Sequence, residues 1–267
     1  AWANPDRFYF DEHGNLTVVA GVPPDYFSET GQLWGNPIYR WDVMQAQEYS
    51  WWTARIAKTF EMVDIIRLDH FRGFAKYWQV PATETTAING SWEPGPGADF
   101  FRTLEAKLGT LPIIAEDLGV ITPDVVELRE RFDFPGMKIL QFAFDSNEEN
   151  DYLPHTYDKN CIVYTGTHDN DTTRGWYAKC SDQDRHWVNT YLQTDGSDIC
   201  WDFIRTAWAS VADIAITPLQ DVLCLGSEAR MNTPATSGRN WKWRFTWDMI
   251  APDAFDRLRM MTQIYGR

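Results

Sequence analysis

The sequence predicts an α/β protein built as a (β/α)8 TIM barrel, of which this chain supplies about the C-terminal five strand-and-helix units. Two observations lead to that fold class. Short apolar, β-prone runs alternate with amphipathic helical stretches, and charged residues follow three of those runs where the strands should end. Charged strand ends favour a barrel over a doubly wound sheet, and the sequence has no G-x-G-x-x-G or P-loop motif to support the latter.

Residues 1–40 are rich in Pro, Gly and aromatic side chains and show little periodicity, so they predict an irregular region with a functional role. A helix follows over 52–60, where apolar residues recur every four positions. The run 63–66 predicts a strand that leads to Asp69. The mixture of Trp, Pro, Thr and Gly over 74–100 predicts an insertion after that strand.

The next elements repeat this order. Large apolar residues share one face of a predicted helix over 100–108, and a glycine closes it. The run 113–115 predicts a strand that ends at Glu116. Thr122 then caps a predicted helix, with Pro123 at its first position.

Two further β-prone runs lie at 137–144 and 161–164, and the second leads to Asp169. Apolar periodicity predicts a helix over 201–214 and a last strand over 216–225. With the strands above, this gives a mostly parallel sheet covered by helices.

Composition limits the classes of partner. The chain has 267 residues, 44% hydrophobic and 23% charged, which fits one globular domain or a large part of one. The formal net charge of -14 disfavours nucleic acid and anionic membranes, since binding either depends on clustered Lys and Arg. We expect a neutral or cationic ligand.

The cysteines and the amino terminus predict a cytoplasmic protein. Cys161, Cys180, Cys200 and Cys224 lie far apart without a Cys-x-x-Cys pair, so neither a zinc site nor a disulfide framework is predicted. No apolar run approaches the roughly 18 to 20 residues that cross a bilayer, and the first residues do not resemble a signal peptide. The chain opens without Met, and we expect it to be a piece of a longer protein.

The acidic clusters at the strand ends indicate acid–base chemistry on a sugar. Retaining glycoside cleavage needs a nucleophilic carboxylate and a carboxyl general acid about 5 to 5.5 Å apart, and Asp69 and Glu116 are the candidates. Arg67, two residues before Asp69, should lie on the same face and hold it ionised. Glu116 must carry a proton, so its site should be more apolar or lie near another negative charge.

Asp169 would bind ring hydroxyls and stabilise a cationic transition state, while His70 and His168 would donate hydrogen bonds to hydroxyls. Aromatic residues on loops, such as Trp34 and Trp241, offer flat faces to sugar rings.

Structural readings of each cluster are also open. The Arg-x-Asp pair could be an ordinary ion pair, and the Glu-Asp pair at 116–117 a solvated turn. The run 168–171 could be a calcium loop, although no Gly and Glu follow in EF-hand register. Three acids at three strand ends favour the catalytic reading.

Several long motifs resemble the 4-α-glucanotransferases, also called amylomaltases or disproportionating enzymes, which are relatives of the α-amylase clan. The matching segments follow one another through nearly the whole chain: VPPDYFS at 22–28, GQLWGNP at 31–37, IRLDHFRG at 66–73, IAEDLG at 114–119 and YTGTHDNDT at 164–172.

The resemblance implies an enzyme that cleaves an α-1,4-glucan and transfers the donor segment to another glucan or glucose, through a covalent glycosyl-aspartate and without cofactor or metal. It makes Asp69 the nucleophile, Glu116 the acid/base and Asp169 the transition-state stabiliser. Residues 1–40 would include a substrate-covering loop. The substrate-binding residues that it implies are Arg67, His70, His168, Asp25, Tyr26, Phe27, Gln32 and Trp34.

Two alternatives remain beside glucan transfer. An amylase-like hydrolase would use the same acids with water as acceptor, and a noncatalytic glucan-binding module would keep the aromatic platforms without turnover. The family barrel also begins with strands that would precede Ala1. Five strands cannot close a barrel, so we expect residues 1–267 alone, as a partial catalytic domain, to be unstable or inactive.

Overall fold

A computed structural model describes residues 1–24, 28–144 and 150–267, and the chain divides into two compact units at 1–135 and 136–267. The first unit contains antiparallel and parallel strands together with helices. Its elements are β1 (Val18–Val22), β2 (Gln32–Pro37), α1 (Trp41–Ala46), α2 (Ser50–Phe60), β3 (Ile66–Leu68), α3 (Arg72–Ala75), β4 (Lys76–Pro81), β5 (Ser91–Pro94), α4 (Gly97–Leu108), β6 (Ile113–Ala115) and α5 (Pro123–Arg131). A short 3-10 helix at Pro5–Arg7 precedes them.

The parallel pair of strands in this unit fixes the position of two candidate residues. Ile66 of β3 lies opposite Ile113 of β6, and Leu68 lies opposite Ala115. Because the two strands run in the same direction and end in register, the residues that follow them emerge at the same edge.

A core of aromatic and aliphatic residues supports this pair. The helices α2 and α4 bury the apolar faces that their sequences predict, and Phe71, Phe100 and Phe101 are fully buried. Gly109 ends α4 with a φ of +79°, as predicted for a glycine that closes a helix. The strand β6 has the predicted bounds.

The antiparallel sheet differs from the sequence prediction. In the described residues its strands run in the order β2-β1-β4-β5, so part of 1–40 forms regular strands rather than irregular chain, and the segment predicted as an insertion at 74–100 contains β4 and β5. Their pairing joins segments about 60 residues apart, such as Val18 opposite Pro81, which local periodicity does not reveal. Gly21 allows the close approach of β1 and β2, because a Cβ there would lie 2.5 Å from the Gln32 carbonyl oxygen.

Two further predictions in this unit need adjustment. The predicted strand at 63–66 begins only at Ile66 and extends to Leu68. Thr122 does precede α5, but its hydroxyl donates to Asp124 Oδ1 at 2.5 Å and does not cap a backbone N–H.

The second unit contains a parallel sheet in the order β7-β8-β9 within the described residues. Its elements are β7 (Gly136–Ile139), β8 (Cys161–Tyr164), α6 (Thr173–Lys179), α7 (Asp182–Leu192), α8 (Ile199–Ala209), β9 (Ile214–Ile216), α9 (Leu219–Val222) and α10 (Ala254–Tyr265). Short 3-10 helices lie at Leu140–Ala143, Pro154–Thr156, Ser227–Ala229 and Trp247–Met249. Cys161, Cys180, Cys200 and Cys224 are free thiols.

The prediction for 161–164 is confirmed, and three others in this unit are wrong in their bounds. The strand predicted over 137–144 becomes a 3-10 helix after Ile139, and the helix predicted to reach 214 ends at Ala209. The last strand lies at 214–216 rather than 216–225, since Pro218 is the N-cap of α9. Short apolar runs fit a strand or a buried helix equally well, which explains these errors.

None of the helices in the described ranges has both the length and the apolar character to span a membrane.

Candidate active site

Asp69 and Glu116 lie directly beyond β3 and β6, at the shared edge of the parallel pair. The hydrogen-bond ladder continues past the strands, because the Glu116 N–H donates to the Leu68 carbonyl at 3.0 Å and the Phe71 N–H donates to the Glu116 carbonyl at 3.0 Å. These bonds fix the main chain of Glu116 against the turn that carries Asp69 and His70.

The Glu116 carboxyl group is held by two backbone donors. The His70 N–H donates to Oε2 at 2.6 Å, and the Leu118 N–H donates to Oε1 at 3.0 Å. Burial nevertheless raises the pKa of Glu116 above its usual value, with the Asp69 charge acting in the same direction and the two N–H donors opposing it. A general acid needs a shift in this direction.

Asp69 forms the ion pair that its spacing from Arg67 predicts. Arg67 Nη1 lies 2.7 Å from Asp69 Oδ1. The Asp69 side chain is 78% exposed while that of Arg67 is 30% exposed, so the carboxylate is accessible while one of its oxygens is held by the less exposed guanidinium. An exposed carboxylate with one oxygen oriented by a cation suits a nucleophile.

His70 lies between these two acids and Trp34 of β2. Its φ of +49° places it in the left-handed region, which directs its N–H at Glu116. The Trp34 ring meets the imidazole edge to face, with centroids 4.8 Å apart, and Trp34 Nε1 donates to Gln32 Oε1 at 3.2 Å. Burial lowers the pKa of His70 to about 4, so the ring is neutral at physiological pH.

A cavity of about 610 Å³ opens within the first unit beside these residues. Its lining includes Trp34, Arg67, Asp69 and His70 together with aromatic rings such as Tyr77. Aromatic walls with a few oriented polar groups are typical of small-molecule sites. Glu116 is bound to one of these lining residues, since its Oε2 accepts the hydrogen bond from the His70 N–H.

In the second unit, Asp169 lies in the turn that follows β8. Its Oδ1 accepts a hydrogen bond from Asn232 Nδ2 at 2.6 Å, and its Oδ2 lies 3.3 Å from His168 Nε2. Arg230 Nη2 donates to the Asp169 carbonyl oxygen at 2.6 Å. The carboxylate is about half exposed, so a ligand can still reach it.

His168, which precedes Asp169, also contacts residues from 232 to 241. The Trp241 ring lies 5.2 Å from the imidazole, and the Asn232 N–H donates to the His168 carbonyl at 3.0 Å. The motifs did not predict Arg230 or Asn232 as functional residues. For Trp241, only its position as an aromatic residue on a loop was a signal.

Buried hydrogen bonds hold the turn that carries Asp169. Asp221 is fully buried and accepts bonds from the hydroxyl groups of Thr165 at 2.6 Å and Thr173 at 2.8 Å, and from the Thr173 N–H at 2.8 Å. Burial raises the pKa of Asp221, although these donors oppose the shift. Thr165 precedes the turn at 166–172, and Thr173 begins α6 directly after it. Asp221 is therefore hydrogen-bonded to the residues on both sides of the turn.

Asp171, in the same turn, forms hydrogen bonds with two other protein side chains. Its carboxylate accepts bonds from Ser227 Oγ at 2.7 Å and Lys179 Nζ at 2.5 Å, which hold its pKa below the usual value although burial opposes them. Within the described ranges, no group of three or more His, Cys, Asp or Glu side chains is arranged to hold a metal ion.

The structure thus brings Arg67, Asp69, His70, Glu116, Gln32 and Trp34 together in the first unit, and His168 with Asp169 in the second. Asp25, Tyr26 and Phe27 lie outside the described residues.

A family model described as 4-alpha-glucanotransferase matches residues 1–249. The chain belongs to the 4-alpha-glucanotransferase family. This confirms the resemblance that the motifs carry.

Relatives agree with this assignment over the whole chain. The 4-alpha-glucanotransferase of Synechocystis sp. is 52% identical over 100% of this chain and 54% of its own length. That of Thermus thermophilus is 49% identical over 100% of this chain and 55% of its own length. The chain therefore spans about half the length of the curated relatives it matches.

Solved structures confirm the α/β fold of the 4-alpha-glucanotransferase family. An amylomaltase from Streptococcus agalactiae in complex with acarbose superposes with a TM-score of 0.96 at 40% identity, covering 100% of this chain and 54% of that one. An amylomaltase from Corynebacterium glutamicum, 16% identical, gives a TM-score of 0.71 over 92% of this chain and 42% of its own, and shows the fold alone.

Proposed function

We propose that the protein is a 4-α-glucanotransferase that transfers a segment of an α-1,4-glucan to an acceptor glucan or glucose. One observation carries the proposal. The parallel register of β3 and β6 brings Asp69 and Glu116 to one edge, where Asp69 is exposed and Glu116 is buried with a raised pKa. Two carboxyl groups in such different environments suit a nucleophile and a general acid.

In the proposed reaction, Asp69 attacks the anomeric carbon while Glu116 protonates the glycosidic oxygen, so the leaving glucan departs with that proton. A glycosyl ester on Asp69 results. The acceptor hydroxyl then attacks the same carbon, Glu116 takes its proton, and the new glycosidic bond forms as Asp69 leaves. The configuration at the anomeric carbon is retained.

The remaining site residues have binding roles in this proposal. Asp169 stabilises the cationic transition state, and Arg67 orients Asp69. His70 is a neutral hydrogen-bonding group, since the pKa of its imidazole is about 4, and His168 likewise binds hydroxyls. No cofactor is required, because the ester carries the sugar.

We also propose roles for two segments. Gln32 and Trp34, on β2, belong to the part of 1–40 that covers the substrate, together with Asp25, Tyr26 and Phe27. Residues 74–100 form an insertion after the nucleophile strand, and their strands β4 and β5 join the antiparallel sheet. The cytoplasmic location stays a prediction.

Hydrolysis is the second candidate function. We expect the aromatic loop from Tyr26 to Trp34 to favour transfer, because a site that excludes water protects a reactive intermediate from hydrolysis. Incubating the full-length protein that carries this sequence with maltotriose, and separating the products by size, distinguishes the reactions. Products longer than maltotriose indicate transfer, whereas only glucose and maltose would indicate hydrolysis.

Two variants test the assignment of the acids. Asp69→Asn and Glu116→Gln should each lower transfer by at least about 1,000-fold. Asp64→Asn and Glu127→Gln, which change exposed acids near the same strand and helix, serve as matched controls. Unchanged turnover by Asp69→Asn would contradict the mechanism.

Ligand binding separates the enzyme from a noncatalytic module. The complex of the Streptococcus agalactiae amylomaltase makes acarbose the natural probe. Asp69→Asn should retain acarbose binding by calorimetry after losing transfer. Glucan binding by a wild-type protein that turns over no maltotriose would favour the noncatalytic module.

A further inference from the structure

Residues 230–241 contact the turn that carries Asp169 through hydrogen bonds and an aromatic ring. Asn232 Nδ2 donates to Asp169 Oδ1 at 2.6 Å, which is a short bond between a neutral amide and a carboxylate. The two residues are separated by 63 positions in the sequence. The motif around Asp169 therefore does not contain its nearest hydrogen-bond donor.

The main chain of this segment is fastened to the same turn. The Asn232 N–H donates to the His168 carbonyl at 3.0 Å. Arg230 then links the two chains, since its Nη2 donates to the Asp169 carbonyl at 2.6 Å and its Nε to the Asn232 carbonyl at 2.8 Å. One planar guanidinium thus fixes the backbone of Asn232 relative to that of Asp169.

An amide has the right chemistry to orient this carboxylate. It carries no charge and keeps its N–H donors at every pH, so it fixes Oδ1 without neutralising Asp169. On the other side, His168 Nε2 lies at 3.3 Å from Oδ2, which is a longer and weaker contact. Without these contacts, a half-exposed Asp would sample several rotamers. Only one of them would direct its oxygens at a given set of sugar hydroxyls, so the others would be unproductive.

We propose that Asn232 is the positioning residue for Asp169 and that Arg230 holds Asn232 in place for this role. This inference rests on the proposed function, in which Asp169 stabilises the transition state. Asn232 acts through Asp169, so its loss should affect kcat more than KM.

The test compares two substitutions at position 232 in the full-length protein, with maltotriose as substrate. Asn232→Asp keeps the shape of the side chain but replaces the donor with a carboxylate. Asn232→His offers an Nδ1–H close to the position of the amide nitrogen. Thr236→Ala, in the same segment with a hydroxyl bonded to the Thr233 carbonyl, is the matched control.

We expect Asn232→Asp to lower kcat about 10- to 100-fold with KM within about threefold of wild type. Asn232→His should recover most of that loss, and Thr236→Ala should match wild type. Equal losses in the Asp and His variants, or a kcat within about twofold of wild type in Asn232→Asp, would overturn the inference.

A double-mutant cycle separates this inference from the function on which it rests. If Asp169→Asn lowers transfer to a residual rate that can still be measured, and Asn232→Asp lowers that residual rate by less than about twofold, the two residues act as one unit and the inference is supported. If Asp169→Asn is inactive but Asn232→Asp is fully active alone, only the inference fails. If Asp169→Asn keeps full activity, the role proposed for Asp169 fails, and the inference fails with it.

Discussion

The buried carboxylate of Asp221 makes a stability prediction that the structure defines closely. Asp221 is 1% exposed and accepts three hydrogen bonds, two of them from Thr173. Thr173→Val removes the hydroxyl donor at 2.8 Å, preserves the backbone donor and leaves no cavity, because Val has nearly the same shape as Thr. A hydrogen bond to a charged group contributes about 1.5–3 kcal/mol, so we expect a loss of about 2 kcal/mol in the free energy of unfolding.

The size of this loss should depend on pH. Burial raises the pKa of Asp221 in the folded state above that of the unfolded chain, so its contribution to stability is fully present below about pH 3.9. It then falls as pH rises through the folded-state pKa. Since the Thr173 hydroxyl favours the ionised form, the destabilisation by Thr173→Val should be smaller at pH 4 than at pH 8.

Urea unfolding followed by circular dichroism at both pH values measures the effect. Thr190→Val, on the exposed side of α7, is the matched control and should stay within about 0.5 kcal/mol of wild type. A difference below about 0.5 kcal/mol for Thr173→Val at pH 8, or an equal loss at both pH values, would refute the reasoning.

Other predictions concern the first unit. Gly73→Ala places a Cβ 3.0 Å from His70 Cδ2, so the imidazole must move, and urea unfolding should show a loss of about 1 kcal/mol. Because burial lowers the pKa of His70 to about 4, NMR should show a neutral imidazole down to about that pH; the stability from His70 is present above about pH 6.5 and lost as pH falls towards 4. Asp69→Asn should lower the pKa of Glu116, read from its carboxyl carbon by NMR, since the Asp69 charge raises it.

The sequence predicted best the elements that local pattern determines. The bounds of β6 and β8 follow from short apolar runs with clear breaks, and the Arg67–Asp69 ion pair follows from two-residue spacing along a strand. The antiparallel sheet was missed because β1 finds its partner β4 about 60 residues later. A strand of that kind shows no signal until the partner is known.

The surroundings of the site residues were less predictable than the residues themselves. The bond from His70 to Glu116 depends on a left-handed backbone at His70, a conformation that side-chain patterns do not encode. Similarly, Asn232 and Asp221 reach the Asp169 turn from 63 and 48 to 56 positions away. The strand ends in the sequence predicted the candidate residues, whereas tertiary packing selects the groups that orient them.

Glu116 shows why those surroundings matter for the proposed mechanism. Its two backbone donors, at 2.6 and 3.0 Å, favour the carboxylate, while burial and the Asp69 charge favour the acid. Because these effects on the pKa of Glu116 oppose each other, a change of one nearby charge can change its protonation state. In the proposed mechanism, esterification of Asp69 would remove that charge, which would lower the pKa of Glu116 and convert the acid of the first step into the base of the second. Backbone donors suit this exchange, because they cannot themselves titrate and so respond to neither step.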